Sequence, residues 1–120
     1  MADLGQGFPR TARLLKPAEF RRVFQRARRA QDANLTILAR ANDGEQARLG
    51  LAIARKQIRR AVDRNRLKRI IRDSFRHRRA ELHGLDLVVM ARTRALGCSN
   101  AELRASLGRL WQNLLSQPAA

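Results

Sequence analysis

Residues 48–82, RLGLAIARKQIRRAVDRNRLKRIIRDSFRHRRAEL, carry two hydrophobic rhythms back to back. Over Arg48–Lys56 the side chains alternate, with Leu49, Leu51 and Ile53 on one side and Gly50, Ala52 and Ala54 on the other. That is the period of a β-strand. The large residues face a core, and the small ones leave a shallow floor that a helix or a ligand can approach closely. From about Arg59 to Leu82 the spacing becomes helical. At about 100° per residue, Leu67, Ile70, Ile71, Ser74, Phe75 and Leu82 share one arc, the stripe to be buried. Asn65, Lys68, Arg69, Arg72, Arg76 and Arg79 occupy a separate arc that contains no acid. A strand followed by an amphipathic helix with one basic face is the unit around which the rest of the chain is arranged.

Like charges at helical spacing repel one another. Residues 55–79 hold twelve cations and two acids, which is +10 of the chain's +16 in about a fifth of its 120 residues. A merely solvated face mixes signs, and this one does not. Nucleic-acid phosphates would offset the repulsion, because each phosphate neutralised releases condensed counterions. The net charge and a pI near 12.0 therefore point to a polyanionic partner, nucleic acid ahead of an anionic membrane. Of the 26 basic residues only Lys16, Lys56 and Lys68 are lysine. Arginine forks onto phosphate and stacks on bases; a GC-rich genome would produce the same bias. A helix-turn-helix reader needs a short helix just before its recognition helix, and here a strand stands in that place. Asn65 alone specifies little.

Outward from this unit, residues 1–15 read as irregular, with Gly5, Gly7 and Pro9. A first helix is expected from Pro17, with proline at its first position and Glu19 in its first turn, fading around Arg28–Ala30. Phe20, Val23, Phe24 and Ala27 share one face of it. Leu35–Arg40 reads as a strand, and Asn42-Asp43-Gly44 as a turn joining it in a hairpin to the strand at Arg48. Downstream, Asp86–Arg92 reads as a further strand. Ser99-Asn100-Ala101-Glu102 has capping-box spacing and opens a last helix with Leu103, Leu107, Leu110, Trp111 and Leu114 on its apolar stripe. Pro118 ends it, and 117–120 form a tail. One α+β domain over residues 1–120 is expected.

No apolar stretch is long enough to span a bilayer, and the first residues lack the apolar core of a signal peptide. The single Cys98 excludes an intramolecular disulfide and a multi-cysteine zinc site. His77 and His83 lack ligand spacing. Asp63 and Asp73 stand among arginines, where ion pairing is their expected role. A protein-only nuclease would need clustered acids, and the ten Asp and Glu are scattered. These features fit a cytoplasmic RNA-binding protein without a membrane partner.

RNRLKRIIRDSFR (64–76) closely resembles the RNR signature of the bacterial ribonuclease P protein family. FPRTARLLKPAEFRRVFQ (8–25), RLGLAIARKQIRRAVDRNR (48–66) and DLVVMAR (86–92) are similar to other blocks of that family, in the same order. The resemblance implies an αβββαβα two-layer α+β sandwich. Its four-stranded sheet would contain a left-handed βαβ crossover, where the general rule is right-handed. Three strands are legible; the fourth falls either around Arg29–Asp32 or at a break in one of the others. The resemblance also implies a protein subunit that binds a large catalytic RNA and the 5′ leader of precursor tRNA. The RNA would supply the catalysis and hold the Mg²⁺. The protein alone would be non-catalytic, with no bound cofactor or metal and no obligate protein partner. Arg64, Asn65 and Arg66 match the signature triplet and would contact the catalytic RNA, with Lys68, Arg69, Arg72 and Arg76 continuing that surface. Phe20 and Phe24 match two aromatics lining a leader cleft, with Arg55 and Lys56 at its edge. By spacing alone the two phenylalanines read as core; with the resemblance, as half-buried rings with one face open to a base. Ile58-Arg59-Arg60 departs from the many members with glycine before the signature. The alternative is a ribosomal or ribosome-assembly RNA-binding protein without a role in cleavage. The ordered aromatic pair and RNR triplet favour the first reading.

Overall fold

The structure is a computed structural model that describes residues 13–14, 16–44 and 46–117. Most of the irregular 1–15 segment, and Pro118 with the rest of the tail, lie outside the described residues. The elements run α1 (Pro17–Gln25), β1 (Arg28–Gln31), β2 (Leu35–Ala41), β3 (Arg48–Ala52), α2 (Ala61–Arg78), β4 (Leu85–Ala91), a 3-10 helix (Thr93–Gly97) and α3 (Asn100–Ser116). The strands form one mixed sheet in the order β1-β2-β4-β3. The fourth strand is β1, at the first of the two locations left open.

The hairpin expected between Leu35–Arg40 and the strand at Arg48 does not form. β4 lies between the two, antiparallel to β2 and parallel to β3, with Val89 opposite both Ile37 and Leu51. The reason is burial. Leu85, Leu87, Val88 and Val89 are covered on both faces, which only a central strand permits. The Asn42-Asp43-Gly44 turn is present, but it steps across the start of β4. Asn42 donates its backbone N–H to the Gly84 carbonyl at 2.9 Å, and its side-chain amide to Gln46 O and Asp86 Oδ1, each at 2.9 Å. The actual hairpin is β1-β2, with Arg28 opposite Ala39 and Gln31 opposite Thr36. Asp32 shapes its turn by accepting from the backbone of Asn34 and Leu35 at 2.8 and 2.9 Å, an Asx-turn. α1 consequently stops at Gln25, before the expected fade at 28–30, because Arg28–Gln31 pair with β2. β3 likewise ends at Ala52 rather than Lys56, and α2 spans less than the expected 59–82.

The sheet sorts its side chains by parity. Leu35, Ile37, Ala39, Leu49, Leu87 and Val89 meet Leu67, Ile71, Phe75, Leu103, Leu107 and Trp111 of α2 and α3. Trp111 is fully buried as expected; its ring lies 6.2 Å from that of Phe75, and its indole N–H donates to Ser74 Oγ at 2.8 Å. On the other face Leu38 and Val88 pack against Val23 and Leu14, with Phe20, Ala27, Ala52 and Met90 half-buried around them. α1 therefore lies across that face and leaves part of it open. Ser99 caps α3 as the spacing predicts: its Oγ accepts from Glu102 N at 3.1 Å, and Glu102 reaches back to Ser99 N at 2.7 Å.

Candidate nucleic-acid interface

α2 buries Leu67, Ile70, Ile71 and Phe75, and this orientation determines where the basic arc points. Asn65, Lys68, Arg69, Arg72 and Arg76 line one basin of about 550 Å³, together with Asp73 and with Arg104 from α3. Burial, and beside it the charge of Arg13, lower the affinity of Arg72 for its proton, as expected where cations are crowded. Asp63 and Asp73 pair with arginines as expected, Asp63 with Arg60 at 4.0 Å and Asp73 with both Arg76 and Arg104. Among the described residues no three of His, Cys, Asp or Glu come together to hold a metal ion.

Arg64 and Arg66 do not join the basin. Arg64 Nη1 donates to the carbonyls of Ile58 at 3.0 Å and Arg59 at 2.7 Å. It thereby braces the turn that leads into α2, the turn in which this chain has no glycine. Ile58, fully buried, anchors the same turn. Arg66 donates from Nε to Asn100 Oδ1 at 3.0 Å and from Nη2 to the Cys98 carbonyl at 2.6 Å. It ties α2 to the start of α3 while remaining half-exposed. The three residues of the triplet thus point three ways, as successive helical positions must. Arg55 and Lys56 are exposed in the turn after β3.

The two phenylalanines of α1 differ. Phe20 is half-buried, with its ring over Gly50; a Cβ at Gly50 would stand 2.7 Å from two ring carbons. Phe24 is 49% exposed. Beside Phe20 a smaller hollow of about 190 Å³ is lined by Arg13, Leu49, Leu51, Lys68 and Arg72. Lys68 and Arg72 therefore border both this hollow and the basin, so the basic face of α2 is continuous with the α1 side of the sheet.

Beyond α1 the open part of that face is a cleft of about 710 Å³, floored by Thr36, Ala52 and Met90 and edged by Arg29, Arg92 and Arg94. The small-residue floor is thus shared, with Gly50 under Phe20 and Ala52 and Ala54 in the cleft. Sequence reasoning missed the three arginines. Their signal is parity: Arg29 and Arg92 fall in register with the residues of β1 and β4 that face away from α2 and α3. Also missed was the brace that seats α1. The buried Asp86 accepts from Arg48 Nε at 2.8 Å and Nη2 at 2.7 Å, while Arg48 Nη1 donates to Glu19 at 2.8 Å. The hydrogen bond to Asp86 holds the Arg48 guanidinium above its ordinary pKa despite burial.

A family model described as Ribonuclease P matches residues 8–115. The chain is 52% identical over 115 residues to the ribonuclease P protein component of Thioalkalivibrio sulfidiphilus, covering 96% of this chain and 95% of the relative. It is 55% identical over 107 residues to that of Methylococcus capsulatus, covering 89% and 84%. In fold it resembles the RNase P protein of Staphylococcus aureus, with a TM-score of 0.79 at 25% identity over 85% of this chain and 94% of that one. Against the RNase P protein of Thermotoga maritima the TM-score is 0.75 at 27% identity, over 89% and 98%.

Proposed function

The chain belongs to the ribonuclease P protein family, a subunit of an endoribonuclease holoenzyme, and from that premise we propose how it works there. It binds the catalytic RNA through the α2 basin and the 5′ leader of precursor tRNA through the α1 side of the sheet. Its place of action is the cytoplasm. The RNA carries the catalysis and holds the Mg²⁺, and the protein alone cleaves nothing. One observation carries this reading: Lys68 and Arg72 border both the basin and the hollow at Phe20. A single rigid helix can then lie along the catalytic RNA on one side and steady a substrate strand on the other. In the basin, charge and the guanidinium fork match phosphate. On the α1 side, the exposed Phe24 ring and the open edge of Phe20 offer stacking faces, each worth roughly 1–3 kcal/mol per base. The arginines at the rim of the cleft hold the strand's backbone, and the small floor admits it. Arg55 and Lys56 extend that charge from the turn after β3. Arg64 and Arg66, although braced within the protein, are half-exposed, and a guanidinium has further donors for RNA.

The test is reconstitution. Protein and its catalytic RNA are mixed at low Mg²⁺ and assayed on labelled precursor tRNA, with Phe20→Ala as a second arm. Cleavage is expected to depend on both components. Phe20→Ala is expected to weaken the leader-bearing precursor more than mature tRNA. Cleavage by the protein without RNA, or no stimulation of the RNA by the protein, would overturn the proposal. Tight binding to ribosomal RNA instead would favour the ribosomal alternative.

A further inference from the structure

The acid in the basin is the least expected of its residues. Asp73 is the only carboxylate among the seven described side chains that line it. On a surface that attracts a polyanion, a carboxylate lowers the local potential and, by charge alone, weakens binding. Its geometry gives a reason for its presence. Oδ1 accepts from Nη2 of Arg76, one turn further along α2, and Oδ2 accepts from Nη1 of Arg104 on α3 at 2.6 Å. One carboxylate thus holds two guanidiniums from different helices. Each guanidinium has five N–H donors, so each retains most of its donors, and the two side chains are 38% and 51% exposed.

We propose that Asp73 is a positioning residue of the RNA-binding surface, and that Arg104 belongs to that surface through it. This rests on the reading of the basin as the face for the catalytic RNA. The paired guanidiniums form a preset fork for two phosphates of a folded RNA backbone. Free arginines would have to lose rotamer freedom on binding; these have already lost it in the folded protein. A folded RNA presents its phosphates in one arrangement and gains from a matching one. A featureless polyanion gains only from charge. The hydrogen bond from Arg104 also holds the Asp73 carboxyl below the usual carboxylate range, helped by Arg76 and His77. The clamp is therefore charged throughout the neutral range.

These roles predict opposite signs for one substitution. Asp73→Asn raises the net charge by one. Affinities of wild type, Asp73→Asn and Arg104→Ala for the catalytic RNA and for poly(U) would be measured at several salt concentrations, with melting curves alongside. We expect Asp73→Asn to bind poly(U) as well as or better than wild type. It is expected to bind the catalytic RNA about tenfold more weakly, the scale of one charge-assisted hydrogen bond. Arg104→Ala should cost a similar factor and lower the salt slope by roughly one. The double variant should lose little more than either single one. Asp73→Asn binding the catalytic RNA as tightly as wild type, or tighter, would overturn the proposal, as would equal loss on both polymers. Should Asp73→Asn fail to fold, Arg104→Lys decides: it keeps the charge but not the planar fork, and full retention of affinity would refute the fork. A wild-type protein that does not prefer the catalytic RNA over poly(U) would instead count against the functional reading itself.

Discussion

At the scale of the residue, glycine and phenylalanine meet most closely where Phe20 lies on Gly50. Gly50 is the small member of an alternating strand, and the ring occupies the space its side chain would fill. Gly50→Ala brings a Cβ within 2.7 Å of two ring atoms and 3.2 Å of Leu14 Cβ. The ring tip is the more mobile partner, so it is expected to tilt off the sheet. The expected cost is about 1–2 kcal/mol in denaturant unfolding, typical of a modest overpacking, together with weaker binding of leader-bearing substrate. An unchanged unfolding midpoint would show that the close approach is not under constraint. The small floor was legible from alternation alone. The unequal burial of Phe20 and Phe24 was not, because i and i+4 positions share a helical face and only the sheet beneath decides which of them is covered. Nor was the spread of the triplet legible from its closeness in the chain. Arg64 and Arg66 flank Asn65 in the chain, but Arg64 turns back to the carbonyls of Ile58 and Arg59 just before α2, while Arg66 reaches Cys98 O and Asn100 Oδ1 at the start of α3.

At the scale of the element, α3 illustrates a local signal that needs no tertiary support. Ser99 and Glu102 satisfy each other's backbone donors, and the capping box is readable from four letters. Ser99→Ala is expected to destabilise the protein by about 1 kcal/mol, measured by thermal or chemical unfolding. A neutral result would mean that Arg66, bonded to Cys98 O and Asn100 Oδ1, holds the start of α3 unaided. α1 and the strands show the opposite case. β1 has four residues and a mixed RRAQ sequence without strand periodicity, and it exists because β2 offers it a ladder. It takes Arg28–Gln31 from the end of a helix that local spacing would have continued.

At the scale of the whole molecule, +16 on 120 residues makes the compact state repel itself. Added salt screens this, since the Debye length falls to about 8 Å near 0.15 M. The melting temperature at neutral pH is therefore expected to rise with salt, and an increment of 1 kcal/mol corresponds to roughly 4–8 °C for a domain of near this size. Acid acts in the other direction. Burial raises the Asp32 carboxyl, but the hydrogen bonds from Ser106, Leu35 and Asn34 and the charge of Arg109 outweigh it and leave it lowered. The Asp73 carboxyl is lowered by Arg104. Carboxyls with depressed folded-state pKa values stabilise fully above the unfolded value near 4, and lose that contribution as pH falls through the folded one. Melting curves from pH 7 to 2 at fixed salt should be flat in these two groups until about pH 4 and fall below it. A melting temperature that drops with salt, or rises on acidification, would contradict this. The sequence by itself determined the strand–helix unit, the basic face, the capped last helix and the family, because periodicity, charge and caps are properties of neighbouring residues. Tertiary structure alone decided that β4 separates β2 from β3, that Arg104 reaches Asp73, and that Arg66 turns to the Cys98 carbonyl. Each depends on which distant segments share a sheet or a helix face, and burial of the whole chain selects those partners rather than any local spacing.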